Sequence, residues 1–159
     1  MATLYLLCGK IAAGKSTLAR RLAAQPATLL ISEDHWTSTL FGDDLKTVED
    51  YARLSARLRT AMAPHIVDIL RQGLSVVLDF QGNTPRVRQW MRSLIDRAGV
   101  PHEFHVLDVP DAVCLERLRE RNAGGKHPFQ VSEGEFAQFT RHFDPPTPDE
   151  GFNVIVHSS

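Results

Sequence analysis

Leu4-Tyr5-Leu6-Leu7-Cys8, then Gly9-Lys10-Ile11-Ala12-Ala13-Gly14-Lys15-Ser16, then Thr17-Leu18-Ala19-Arg20-Arg21-Leu22: these consecutive segments set the architecture of the chain. The first is a short apolar run with the character of a buried strand. The second reads G-x-x-x-x-G-K-S, the pattern of a phosphate-binding loop. The third is a helix start. Strand, loop and helix follow in the order that this chemistry requires. Gly9 and Gly14 permit backbone angles that a side chain would forbid. The N–H groups of Ile11, Ala12, Ala13 and Gly14 then converge on a phosphate. The helix beginning near Lys15, Ser16 and Thr17 adds its unpaired N-terminal donors and the positive end of its dipole. Lys15 places an ammonium between the β- and γ-phosphates, and Ser16 offers a hydroxyl to Mg²⁺. The expected ligands are therefore a nucleoside triphosphate and Mg²⁺.

Downstream, strands and helices alternate. Gln25-Pro26 ends the first helix. The residues from Ala27 to Ser32 form a second strand, and a polar connection runs from Glu33 to Asp43. Leu45, Val48, Ala52, Ser55, Leu58 and Met62 recur at helical spacing. Pro64 is expected to kink or split that helix, which ends near Gly73. Leu74 to Asp79 is apolar throughout, as a central parallel strand covered on both faces should be. A helix carrying Val87, Trp90, Met91, Leu94 and Ile95 closes at Gly99, and His102 to Asp108 is a fourth strand. Pro110 opens a helix that reaches a break at Asn122 to Pro128. Ser132 and Glu135 resemble a capping box before Phe136, Phe139 and Phe143. Phe152 to Val156 is the last strand. This order predicts an α/β protein of the P-loop NTPase fold, a five-stranded parallel sheet with helices on both faces. Its ligand belongs at the carboxyl ends of the strands. Residues 1–159 read as one domain with a short lid around residues 119–130.

Composition narrows the classes. A length of 159 residues, 43% hydrophobic and 23% charged, is ordinary for a globular domain. The formal net charge of −1 supplies no general basic surplus for a nucleic acid backbone, although a local patch stays open. Cys8 and Cys114 have no metal-ligand or redox spacing, so buried free thiols in a reducing cytosol are expected. The first strand begins almost at once, leaving no room for a signal peptide, and no apolar run approaches a membrane span. A cytoplasmic location and no membrane partner follow as expectations.

Four carboxyl and arginine positions carry the candidate chemistry. Asp34 leaves the second strand facing the phosphate loop, placed to accept the proton of an attacking hydroxyl. Glu33 competes for that role; the opposite directions of successive residues favour Asp34. Asp79 ends the central strand near the Mg²⁺ position. Arg117 and Arg121 lie four apart on one helix face and could clamp the transferring phosphate, while Arg119 points elsewhere. Arg53, Arg57 and Arg59 read as a solvated face or as substrate contacts. The seven histidines show no ligand spacing.

With these residues in view, the chain resembles small P-loop kinases of the polynucleotide-kinase type, close to the zeta-toxin, chloramphenicol phosphotransferase and gluconate kinase groups. The likeness rests on Gly9 to Thr17, Ser32-Glu33-Asp34, Val76 to Asp79 with Asn83-Thr84-Pro85 and Arg88, Ala98 to Pro101, Leu118 to Asn122, Phe143 to Pro146, and Glu150-Gly151-Phe152. The resemblance implies Asp34 as general base, Arg121 as the lid arginine and a Pro-rich stretch near the adenine. It also implies an ATP-dependent kinase acting on a hydroxyl-bearing substrate. The run His35-Trp36-Thr37-Ser38-Thr39 lacks the arginine with which polynucleotide kinases help hold their substrate. A small-molecule acceptor is therefore favoured. A nucleic acid 5′-hydroxyl kinase and a nucleotide-binding regulator with weak ATPase activity are the alternatives.

Overall fold

A computed structural model describes residues 2–125 and 131–158. Five strands, β1 (Leu4–Gly9), β2 (Thr28–Ser32), β3 (Ser75–Asp79), β4 (His102–Asp108) and β5 (Val154–Ser158), pair in the order β2-β3-β1-β4-β5. Every pairing is parallel. The order reverses at β1, so the loop after β1 opens into the crevice where such sheets hold ligands. Six α-helices are described: α1 (Lys15–Ala23), α2 (Glu33–Phe41), α3 (Val48–Arg71), α4 (Pro85–Ala98), α5 (Asp111–Gly124) and α6 (Glu133–Arg141).

The alternation of β1 side chains builds two cores. Leu4, Leu6 and Cys8 face one side and join Val76, Leu78, Phe104 and Val106 against Leu58, Met62, Ile66 and Leu70 of α3 and Met91, Leu94 and Ile95 of α4. Tyr5 and Leu7 face the other side, where Val77 and Leu107 meet Leu18 and Ala19 of α1, Cys114 and Leu118 of α5, and Phe136 of α6. Helices thus cover both faces, as the apolar strands require. Both cysteines are free and buried. Among the described residues no helix is long and apolar enough to cross a membrane.

Four local expectations are corrected. The segment after β2 is helical, not a loop. Ser32 caps α2 by accepting the His35 N–H at 3.2 Å, and Glu33 and Asp34 complement the helix dipole in the first turn. Its buried positions include Glu33 itself, which hides the helical period from a reading of apolar residues. Pro64 does not split α3, which runs unbroken for 24 residues. The ring removes one hydrogen bond, but Leu58 and Met62 before it and Ile66, Val67 and Leu70 after it anchor both halves. Asn122 is not the start of a break: α5 continues to Gly124, and the Asn122 amide donates to the Val131 carbonyl at 2.6 Å. Residues 126–130 of the expected lid lie outside the described residues. The last strand begins at Val154 rather than Phe152. Phe152 instead packs edge-on against Phe104 at 4.9 Å, with the Arg92 guanidinium 4.4 Å over its ring. The capping box of α6 forms as its sequence suggests.

Candidate functional site

The turn from β1 into α1 is held by its own backbone. Gly14 adopts φ +106°, and Ala12 also sits in the left-handed region at 64°, a conformation that non-glycine residues hold only when their surroundings require it. At Gly9 a Cβ would meet the Leu107 Cβ at 3.2 Å and the Lys15 Cγ at 3.3 Å. A side chain at the loop neck would therefore force Leu107 or Lys15 to give by a few tenths of an ångström. Lys15 is buried, and its ammonium donates to the Gly9 carbonyl at 2.9 Å and the Lys10 carbonyl at 3.4 Å. Lys10 turns outward to Asp111 at 2.5 Å.

A cavity of about 580 Å³ opens over this loop. Its lining includes Ile11, Ala12, Ala13, Gly14, Lys15, Ser16 and Thr17 of the loop and α1, together with Asp34, Asp79, Arg117 and Arg121. The fold thus brings together the candidate residues from four separate segments, with Gly9 at the neck beneath them. Ser16 donates to Asp79 Oδ2 at 2.8 Å. Burial raises the Asp79 carboxyl above the usual range, against the pull of the Lys15 ammonium and the Ser16 hydrogen bond. A hydroxyl facing a buried carboxylate is an oxygen-only donor set suited to a hard divalent cation. Arg117 reaches the Ala13 carbonyl at 3.3 Å. Arg121 carries a buried Nε with no hydrogen-bond partner among the described residues. Burial lowers its pKa while Asp34 opposes that shift. A half-buried guanidinium with a buried, unused donor beside a phosphate-type loop fits an anionic ligand. Arg119 points away, to Glu133 at 2.8 Å on the surface.

Beneath Asp34 lies a polar cluster. The Tyr51 hydroxyl stands 3.0 Å from Asp34 Oδ1 and 3.2 Å from Glu33 Oε1. Arg59 approaches Glu33 Oε2 at 3.5 Å, and the Gln81 N–H donates to Glu33 Oε1 at 3.3 Å. Burial, with Asp34 adding, pushes the Glu33 carboxyl up to about 7 despite Arg59, the Gln81 N–H and Tyr51. Burial likewise raises the Tyr51 phenol, helped by the two carboxylates. The sequence left Arg59 between surface and substrate contact; its side chain is only 12% exposed and is turned to Glu33. Tyr51 had no motif to mark it. Its sole sequence signal is a polar-tipped residue on the inner face of an amphipathic helix.

Two further features escaped the sequence reading. Asn83 is bonded to both backbone groups of Gly9. His105 and His157 meet across β4 and β5, with ring nitrogens 2.8 Å apart, and His105 Nε2 lies 2.9 Å from Glu103. Strand register, not spacing in sequence, makes that pair, and His157 also lines the cavity.

No curated protein sequence matches the chain. Among solved structures, a sugar kinase from Janibacter sp. is similar over 99% of this chain and 86% of its own, with 18% identity and a TM-score of 0.70. Kti12 from Chaetomium thermophilum, solved with ADP-AlF3, shares 16% identity over 98% of this chain and 88% of its own, with a TM-score of 0.69. The Mycobacterium tuberculosis APS kinase, solved with AMPPNP and APS, shares 18% identity over 99% of this chain and 88% of its own, with a TM-score of 0.62. At these identities the likeness is one of fold. The sequence itself goes further: the profile of the AAA domain matches residues 4–146, and the chain belongs to that P-loop family.

Proposed function

We propose that this protein is an ATP- and Mg²⁺-dependent phosphotransferase that moves the γ-phosphate to a hydroxyl of a small-molecule acceptor. The observation that carries the reading is the single cavity lined by Lys15, Ser16, Asp34, Asp79, Arg117 and Arg121. Phosphoryl transfer needs positioning and charge neutralisation more than covalent help from the protein, and these residues supply both. The kinases among the similar structures support the same reading.

Lys15 exchanges its two carbonyl partners for β- and γ-phosphate oxygens. The loop N–H groups and the first turn of α1 hold the β-phosphate. Ser16 would hold Mg²⁺, with Asp79 behind it through water, and the ion would supply neutralising charge to the phosphates. Asp34 takes the proton of the acceptor hydroxyl as its oxygen attacks the γ-phosphorus. The bond from that phosphorus to the β,γ-bridging oxygen breaks, and ADP leaves with the bond's electrons. Arg121, with Arg117 beside it, balances the charge on the equatorial oxygens.

Titration calorimetry with Mg²⁺ and ATP tests the first half, and phosphotransfer across sugars, nucleosides, antibiotics and oligonucleotides tests the second. Asp34→Ala is expected to keep ATP affinity within about twofold and to lower transfer by at least about 100-fold. Transfer at the wild-type rate by that variant would remove Asp34 from the mechanism.

A further inference from the structure

Tyr51 stands between two carboxylates from consecutive residues, within hydrogen-bond distance of both. A phenol has one proton and can give it to one carboxylate at a time. Two anions competing for it in a buried site would repel each other. The arrangement is satisfied when Glu33 carries a proton: Glu33 donates to the Tyr51 oxygen, and Tyr51 donates to Asp34. Full burial of Glu33 favours that form, against the pull of the two donors that face it. Its Oε2 faces Arg59 of α3 and its Oε1 the Gln81 N–H after β3. Asp34, the other charged group on α2, interacts in turn with Asp79 of β3 and Arg121 of α5. The Tyr51 ring is braced edge-on by Phe139 of α6, 5.6 Å away.

We propose that Tyr51 is the positioning residue for Asp34, and that Glu33, as a neutral acid behind it, commits the phenol proton to Asp34. This rests on the kinase reading of Asp34 given above. With Asp34 Oδ1 occupied by Tyr51, Oδ2 is the oxygen presented to an acceptor hydroxyl. Loss of the proton from Glu33 makes it a competitor for the phenol, and Asp34 loses its fixed orientation. Burial of Glu33 places that change near pH 7.

The test needs no identified acceptor. Water serves as the phosphoryl acceptor, and Mg²⁺-dependent ATP hydrolysis is followed from pH 6 to 8.5 in wild type and in Tyr51→Phe, Glu33→Gln and Asp34→Ala. Calorimetry with ATP verifies that each variant is folded. Wild-type kcat is expected to fall on the alkaline side with an apparent pKa near 7, with KM for ATP constant. Tyr51→Phe lowers kcat about tenfold, the worth of one orienting hydrogen bond, and leaves KM for ATP within twofold. Glu33→Gln, whose amide donates to Tyr51 at every pH, abolishes the alkaline fall. A residue with only a structural role would shift thermal stability and leave these profiles alone.

Retention of the alkaline fall in Glu33→Gln, or an unaltered kcat in Tyr51→Phe, overturns the proposal. If the Glu33 variant cannot be folded, ¹³C NMR of the Glu33 carboxyl in wild type decides: titration near pH 7 supports the proposal, and titration below about pH 5 overturns it. Asp34→Ala separates the two levels. If it hydrolyses ATP like wild type, the kinase reading of Asp34 fails; if it is inactive while the other variants behave like wild type, only the positioning role fails.

Discussion

Asn83 clasps Gly9 from both sides, its Oδ1 accepting the Gly9 N–H at 3.0 Å and its Nδ2 donating to the Gly9 carbonyl at 2.9 Å. A side-chain amide here does what a neighbouring strand would do, extending the β1 ladder into the phosphate loop. The Gly9 carbonyl also receives the Lys15 ammonium. The clasp therefore fixes the loop from which Lys15 is presented. Asn83→Ala is expected to weaken ATP binding about tenfold, the loss of about one net hydrogen bond. Asn83→Asp should do the same, because it keeps the acceptor and loses the donor. Calorimetry with ATP measures both, and unaltered affinity in either variant rejects this role.

Gly82 is the tightest glycine of the fold among the described residues. An added Cβ would lie 2.7 Å from the Leu7 carbonyl oxygen and 2.9 Å from Phe104 Cζ. The Leu7 carbonyl also accepts the Gly82 N–H at 3.0 Å, so the backbone cannot retreat without losing that bond. Gly82→Ala is expected to destabilise the fold by about 2–3 kcal/mol through overpacking. Urea unfolding measures it; a cost below about 0.5 kcal/mol would show that the site relaxes freely.

Arg88, 2% exposed, gathers the far end of the chain onto α4. It donates to Glu150 at 2.6 and 3.3 Å and to the carbonyls of Gly82 and Asp144 at 3.0 and 2.5 Å. Removing it leaves a carboxylate and two carbonyls in need of partners. Arg88→Ala should cost about 3–5 kcal/mol, and Arg88→Lys should recover little, because an ammonium cannot reproduce the planar fork. Thermal unfolding tests both. Full rescue by lysine would show that charge alone matters there.

Stability should also depend on pH through Glu33. Its folded pKa of about 7 lies above the ordinary value of 4.5. The folded state thus holds a proton that the unfolded chain has released between those values. The contribution is present in full below about pH 4.5 and is lost as pH rises through 7, on the order of 3 kcal/mol in all. The difference in unfolding free energy between wild type and Glu33→Gln, followed from pH 4.5 to 8, should therefore shift steadily against wild type. A difference that stays constant with pH would place the Glu33 proton outside the stability of this fold.

The architecture was legible because periodicity reports it directly. Apolar runs gave the strands, and the glycine spacing gave the loop between β1 and α1. What stayed hidden was whatever depends on elements meeting. Glu33 and Thr37 form the buried side of α2, so polar residues carry a helical face that hydrophobicity cannot reveal. Arg59 looks like any surface arginine until α2 brings Glu33 against it. His105 and His157 are 52 positions apart and become neighbours only through strand register. Pro64 misleads in the opposite sense, since local chemistry argues for a break that packing on both sides overrides.

The two thiols of the chain offer a practical opening. Cys8 is fully enclosed beside the loop neck, and burial lifts its thiol to about 11; Cys114 is enclosed on α5. Little thiolate forms at either position near neutrality, so alkylating reagents should pass both by. A single cysteine introduced at Leu40, which is 55% exposed on the helix that carries Asp34, would then take a fluorescent label alone, giving a spectroscopic reporter on that helix without first stripping the native thiols.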